Sequence, residues 1–287
     1  MKAFIFPGQG SQFEGMASEL DLNHELLKSK VKEAKDNLGF DIFKLMTSGS
    51  KEDLTQTKVT QPAIFLHSVF CLILKGNQPD AVAGHSLGEF SSLVANGVLS
   101  FSDGLSLVKT RAEEMQKACK DNPGTMAAIL GLEDEKVEMV CDITDGIVVA
   151  ANYNTPGQLV ISGELKAIDK ACEIAKENGA KRAIKLPVGG AFHSPLMKSA
   201  ETKLAEKINR IQFNDSSIPI YQNFTAQATI DSNEIKSNLI KQLTGPVKWT
   251  QTVKNMLNDG YTKMIEVGPG RTLKGLVQKI DRSIETT

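Results

Sequence analysis

The sequence predicts an α/β protein: a mostly parallel sheet covered on both faces, with a small ferredoxin-like unit inserted into it. Three observations carry that prediction. Short strand-like apolar runs alternate with segments whose apolar residues recur every three or four positions, the pattern of a parallel sheet with helices on both sides. Gly84-His85-Ser86-Leu87-Gly88 stands between one such strand and one such helix. Between about Pro123 and Gly190 the rhythm changes to β-α-β-β-α-β, the split βαβ order.

Taken in order, Lys2 to Phe6 reads as a first strand, and Pro7 to Gln12 as a glycine-rich loop after it. Helical spacing is expected around Glu25–Asn37 and Gln61–Leu74. After Pro79, Asp80 to Ala83 reads as the end of a short buried strand, and Glu89 to Val98 as a helix with Phe90, Leu93 and Val94 in register. A further helix is expected from about Ser102 to Lys120. In the inserted unit the expected strands are Thr125–Leu130, Ile147–Asn152, Gln158–Ser162 and Ala180–Leu186, and the helices Glu133–Asp142 and Leu165–Asn178. The chain then returns with a helix near Pro195–Ile208. Lys263–Val267 reads as a last strand, followed by Gly268-Pro269-Gly270 and a helix carrying Leu273, Leu276 and Val277. These elements divide the chain into a large domain, 1–122 and 191–287, and an insert, 123–190.

Composition narrows the class of function. Of 287 residues, 41% are hydrophobic and 23% charged, as in ordinary globular enzymes. The net charge of −1 gives no reason to expect nucleic acid or a membrane surface as partner. The apolar start, Met1 to Pro7, is too short for a signal peptide, and no apolar stretch is expected to span a bilayer. Cys71, Cys119, Cys141 and Cys172 are widely spaced, so small buried side chains are expected rather than disulfides or metal ligands. The expectation is a cytoplasmic protein.

A serine between two glycines at a strand-to-helix turn is a nucleophile elbow, which makes the large domain α/β-hydrolase-like. The tight turn pushes the Ser86 hydroxyl outward. The helix after it offers unpaired N–H groups and a positive dipole end where an oxyanion would form. Such a serine needs a base, and histidine is the usual one. Four histidines are available. His24 lies in a charged stretch and reads as a surface residue; His67 sits within an apolar helix and reads as packing. His85 neighbours the serine, but adjacent side chains on an elbow diverge. His193 remains, in a loop between Gly189-Gly190 and Pro195 where the insert rejoins the large domain. Local sequence alone would also allow it to be a helix-capping residue; elimination favours the base. No histidine follows it, which disfavours the serine–acid–histidine order of the hydrolases. Arg111 shares a helix face with Val108 and Met115. It could present a planar fork to a carboxylate, or snorkel at the surface and pair with Glu114.

Seven motifs then converge, in order, on one family. They are Phe6-Pro7-Gly8-Gln9-Gly10-Ser11-Gln12, Thr60-Gln61-Pro62-Ala63, Gly84 to Glu89, the Arg111 helix, Phe192-His193-Ser194, Pro246-Val247-Lys248-Trp249 and Glu266-Val267-Gly268-Pro269-Gly270. Together, from about Phe4 to Ile280, they closely resemble the malonyl-CoA:acyl carrier protein transacylases of bacterial type II fatty acid synthesis. The resemblance implies Ser86 as nucleophile and His193 as general base and acid. It implies an oxyanion hole from the backbone N–H groups of Gln9 and Leu87, and Arg111 as clamp for the malonyl carboxylate. The histidine would be oriented by the backbone carbonyl of Gln242 rather than by an aspartate. Gln61 would lie near the cleft and arrange the loop around Gln9; Met115 and Phe192 complete the substrate-binding set. Phe192-His193-Ser194 carries the reading that the family associates with malonyl selectivity, although many bacterial members have Ser-His there.

The implied reaction is ping-pong acyl transfer from malonyl-CoA to an acyl carrier protein thiol, with no metal or redox cofactor and with a monomer expected. The alternatives are a serine thioesterase or esterase, an acyltransferase for another acyl group, and a non-catalytic binding module. An acidic carrier protein would need a local basic patch, for which Lys181, Arg182 and Lys185 are the candidates.

Overall fold

The computed structural model describes residues 1–287, the side chain of Glu19 excepted. The chain opens with β1 (Lys2–Phe6), then α1 (Glu25–Leu38), α2 (Ile42–Ser48), α3 (Lys51–Thr55) and α4 (Thr57–Lys75). β2 (Ala81–Gly84) runs parallel beside β1 and leads into α5 (Gly88–Ala95) and α6 (Phe101–Asp121). Next come β3 (Gly124–Leu130), α7 (Asp134–Ile143), β4 (Val148–Thr155), β5 (Gln158–Glu164), α8 (Leu165–Glu177) and β6 (Arg182–Lys185). The return path holds α9 (Lys198–Asn209), β7 (Ile220–Tyr221), β8 (Ala228–Thr229), α10 (Ser232–Lys241) and α11 (Trp249–Asn258). β9 (Lys263–Glu266), α12 (Thr272–Ile280) and β10 (Glu285–Thr286) end the chain.

The strands form two sheets. The larger has the order β10-β9-β1-β2-β7-β8, parallel except for the β7/β8 pair. Alternation along β1 explains its two covered faces. Phe4 and Phe6 join the core under α1, α4, α5 and α6, whereas Ala3 and Ile5 join the core under α11 and α12. The smaller sheet is antiparallel, in the order β4-β5-β3-β6. Along β3, Ala127 and Ile129 face α7 and α8, while Met126 and Ala128 turn toward the large core. A two-bond bridge ties β4 to the segment before α11: Tyr153 N–H donates to Val247 O at 2.9 Å and Val247 N–H to Ala151 O at 2.8 Å.

The mostly parallel main sheet is as expected. Several boundaries differ. The elbow helix stops at Ala95 rather than Val98, and β6 is two residues shorter at its start and one at its end than the expected 180–186. α4 begins at Thr57 and, at 19 residues, is long and apolar enough by composition to cross a bilayer, contrary to expectation. Its apolar length has another use: every residue from Val59 to Phe70 is buried inside the fold. Cys141 and Cys172 are buried as expected, but Cys71 and Cys119 are only half-buried.

Candidate active site

β1 and β2 lie side by side, and both end at the site, so the loop after β1 and the elbow after β2 meet over their carboxyl ends. The close approach is possible because Gly88 has no side chain; a Cβ there would lie 2.0 Å from Phe6 O. Ser86 sits at φ 54°, in the left-handed region that costs a non-glycine residue about 1–2 kcal/mol. Its Oγ points into a cavity of about 230 Å³. Gln9, Arg111, Met115, Phe192 and His193 share the walls of that cavity with the smaller sheet.

His193 reaches the serine from the loop before α9, itself at φ 57°. The Ser86 hydroxyl donates to His193 Nε2 across 2.7 Å. On the other side of the ring, Nδ1–H faces the carbonyl oxygens of Gln242 at 2.9 Å and Gly245 at 3.1 Å. Carbonyls only accept, so they fix the proton on Nδ1 and leave Nε2 as the acceptor facing the serine. Burial, and then the positive charge of Arg111, push the His193 pKa down to about 3, which keeps the imidazole neutral. Gln242 was expected at this place; Gly245 was not.

Arg111 is fully buried and does not pair with Glu114. Nη1 donates to Gln61 Oε1 at 2.7 Å; Nη2 donates to Ser86 Oγ at 3.0 Å and to Gln242 Oε1 at 3.3 Å. Its guanidinium carbon stands 5.6 Å from the centre of the Phe90 ring. Burial lowers its pKa to about 10, opposed by the charge of Glu89, so it remains a cation. Its Nε–H has no acceptor. Gln61 is correctly placed near the cleft but differs in its contacts. It binds Arg111 and, through Nε2, Met115 Sδ at 3.2 Å, and makes no hydrogen bond to the loop around Gln9.

Among the described residues, the N–H groups of Gln9 and Leu87 have no hydrogen-bond acceptor, whereas those of Gly88, Glu89 and Phe90 are used within the turn. The two expected oxyanion donors are therefore open. His85 points away from the serine: Nε2 lies 2.9 Å from Asn154 Oδ1 and the ring packs on Trp249. Among the other histidines, His24 caps α1 at the surface and His67 is buried in α4. Of the basic candidates, Lys181 and Arg182 are exposed, and Lys185 forms an ion pair with Asp169.

Other residues belong here that the motifs did not single out. Asn152, Asn154 and Gln158 line the cavity from the smaller sheet. The 152/154 spacing places two amides on one strand face, a period-2 signal that was available. Asn223 accepts the Ser86 N–H at 2.6 Å and Glu89 lies buried beneath it; Glu89 belongs to a recognised motif, but Asn223 leaves no local signal.

A serine at the tip of a strand-to-helix turn, met there by a neutral histidine from the loop before α9 and a buried guanidinium from α6, defines a serine acyltransferase-type site. The chain belongs to the acyl transferase domain family, whose profile matches residues 3–285. It is 44% identical over 290 residues to the "Malonyl CoA-acyl carrier protein transacylase" of Bacillus subtilis (strain 168), covering 99% of this chain and 92% of the relative. The protein of the same description from Staphylococcus aureus (strain MRSA252) is 42% identical over 289 residues, covering 99% and 94%. Among solved structures, an acyl carrier protein S-malonyltransferase from Vibrio cholerae superposes with TM-score 0.94 at 42% identity, covering 99% of this chain and 95% of that one. A malonyl-transacylase solved in complex with its type II PKS acyl-carrier protein superposes with TM-score 0.94 at 38% identity, covering 99% and 94%.

Proposed function

We propose that this protein transfers the malonyl group of malonyl-CoA to the phosphopantetheine thiol of an acyl carrier protein, through a malonyl ester on Ser86. The observation that carries the reading is the placement of the Ser86 hydroxyl between a neutral His193 and a buried Arg111 in one cavity. The names of the relatives, and the carrier-protein complex of one of them, support the same substrate and partner.

In the first half-reaction Ser86 Oγ attacks the thioester carbon while its proton passes to His193 Nε2. The oxyanion is taken by the N–H groups of Gln9 and Leu87. The imidazolium is steadied by the Gln242 and Gly245 carbonyls, then protonates the departing coenzyme A thiolate. In the second half-reaction the pantetheine thiol attacks the ester, giving its proton to His193, which returns it to Ser86. Arg111 holds the free carboxylate of the malonyl group, with Gln61 and Gln242 fixing the fork and Met115 and Phe192 closing the walls. Both steps exchange an acyl group between oxygen and sulfur with no net redox change, so the reading needs no metal or redox cofactor. It takes the chain as a cytoplasmic monomer with an α/β-hydrolase-like domain, 1–122 and 191–287, and a ferredoxin-like insert, 123–190. The order β4-β5-β3-β6 supports that view of the insert. Lys181 and Arg182 are the carrier-protein contacts in this reading.

The test supplies malonyl-CoA and either phosphopantetheinylated acyl carrier protein or buffer. The expected result is malonyl-carrier protein formed far faster than free malonate. Free malonate as the main product in both cases identifies a thioesterase instead.

A further inference from the structure

Backbone pairing between β2 and β7 stops one residue short of the elbow. Val82 pairs with Ile220 and Ala83 with Tyr221, and β2 ends at Gly84. Beyond that point the chain turns left-handed at Ser86, and a neighbouring strand cannot follow it. The side chain of Asn223 continues the ladder. Its Nδ2 donates to Gly84 O at 2.5 Å and its Oδ1 accepts the Ser86 N–H at 2.6 Å, bracketing His85.

Asn223 is itself held. Its N–H donates to Glu89 Oε2 at 2.8 Å, while Gln222 Nε2 donates to Glu89 Oε1 at 3.1 Å. The Glu89 N–H donates to Ser86 O at 3.1 Å, which closes a ring of bonds running Ser86, Asn223, Glu89 and back to Ser86. Gln222, Asn223 and Glu89 are all fully buried. Both carboxylate oxygens of Glu89 accept from N–H groups, an arrangement that serves the ionised form even though burial raises its pKa. Gln242 Nε2 donates to Ser86 O at 2.9 Å, so both backbone polar groups of the serine are tied to side chains of distant segments.

We infer that Asn223, set in place by Glu89, is a positioning residue: it holds the strained Ser86 backbone so that Oγ meets His193 Nε2 and the Leu87 N–H stays aimed at the reacting carbonyl. The inference rests on Ser86 being the nucleophile. Without the side-chain ladder the φ of Ser86 can relax toward its ordinary range, which moves Oγ off the imidazole. A displacement of about 1 Å at a reacting centre can cost on the order of 10²-fold in rate.

The test compares wild type, Asn223→Ala and Asn223→Asp in single-turnover acylation by saturating malonyl-CoA, together with malonyl-CoA affinity measured on Ser86→Ala backgrounds. Wild-type acylation at Ser86 is the control for the parent reading; without it that reading fails, independently of Asn223. The expected result for Asn223→Ala is a fall in acylation rate on the order of 10²-fold, with an unchanged fraction of acylatable enzyme and affinity within a few-fold. Asn223→Asp keeps the acceptor for the Ser86 N–H and the residue's shape, and in its protonated form, which burial beside the Glu89 carboxyl favours, also the donor to Gly84 O. It should retain more of the rate, and it decides the matter where Asn223→Ala does not fold. A merely structural role would lower the acylatable fraction and leave the rate of the remainder unchanged. That pattern, or equal rates in folded variants and wild type, overturns the inference.

Discussion

Replacing Arg111 by alanine separates malonyl recognition from acyl-transfer chemistry. The guanidinium is 1% exposed, and its two terminal nitrogens are anchored on Gln61 at 2.7 Å and Gln242 at 3.3 Å. It also touches Ser86 Oγ, so a three-carbon diacid esterified to that oxygen has its far carboxylate within the same reach. The fork is already ordered and desolvated, so the ion pair is of the buried kind. Removing one partner of such a pair costs about 3–5 kcal/mol. At about 1.4 kcal/mol per decade this corresponds to a fall in kcat/KM for malonyl-CoA of about 10²- to 10⁴-fold. Acetyl-CoA offers no carboxylate and should lose far less. Quenched-flow acylation followed by intact mass, run with both donors on the folded variant, measures the two losses. Equal losses for malonyl and acetyl groups would refute the clamp.

Two further predictions concern the base and the elbow. The base works only when neutral, and its pKa near 3 extends the neutral form well below the ordinary histidine range. The acid limb of the acylation rate should therefore lie well below pH 6. Arg111→Ala removes one cause of the depression and should move that limb to higher pH; an unmoved or lowered limb contradicts the electrostatic account. Gly88→Ala places a Cβ against Phe6 O at 2.0 Å, with 2.7 Å to Phe6 C, and neither backbone atom can yield cheaply. It should destabilise by about 3 kcal/mol or more, lowering Tm by about 6 °C or more. Gly275→Ala, with nothing within 4 Å, should leave Tm unchanged or raise it, and equal effects at the two glycines would contradict the close-packing argument.

What was legible in the sequence divides along physical lines. Strands β1 to β5 and helices α1, α4, α5, α6 and α7 carry periodicity over five residues or more, or sit beside glycine-marked turns, and match the expected elements within a few residues, whereas the short helices α2 and α3 lie outside them. β7, β8 and β10 are two residues each, too short for any period to register. α10 lies outside the expected elements although Asp231 caps it, accepting from Glu234 N–H at 2.7 Å, which is a local signal in the sequence. α11 buries Trp249, Val253 and Met256 but was noticed only through the Pro246 to Trp249 motif. The site divides in the same way. Ser86, His193 and Arg111 stand in recognisable local settings, and the fold brings them within 3.0 Å of one another through Oγ. Asn223 acts across 137 positions by a single side chain, in a loop with no pattern of its own. The contacts of Gln61 differ from the expected ones for a related reason: its partners lie 50 and 54 residues away, on α6.

The most direct test of the account is the site of the covalent intermediate. The protein is mixed with malonyl-CoA alone, quenched in acid, weighed intact and mapped by peptide. The account predicts a malonyl-sized increment on the peptide containing Ser86, absent from Ser86→Ala and discharged by added acyl carrier protein. A malonyl-enzyme ester that persists in Ser86→Ala, or turnover with no adduct at any time, contradicts it.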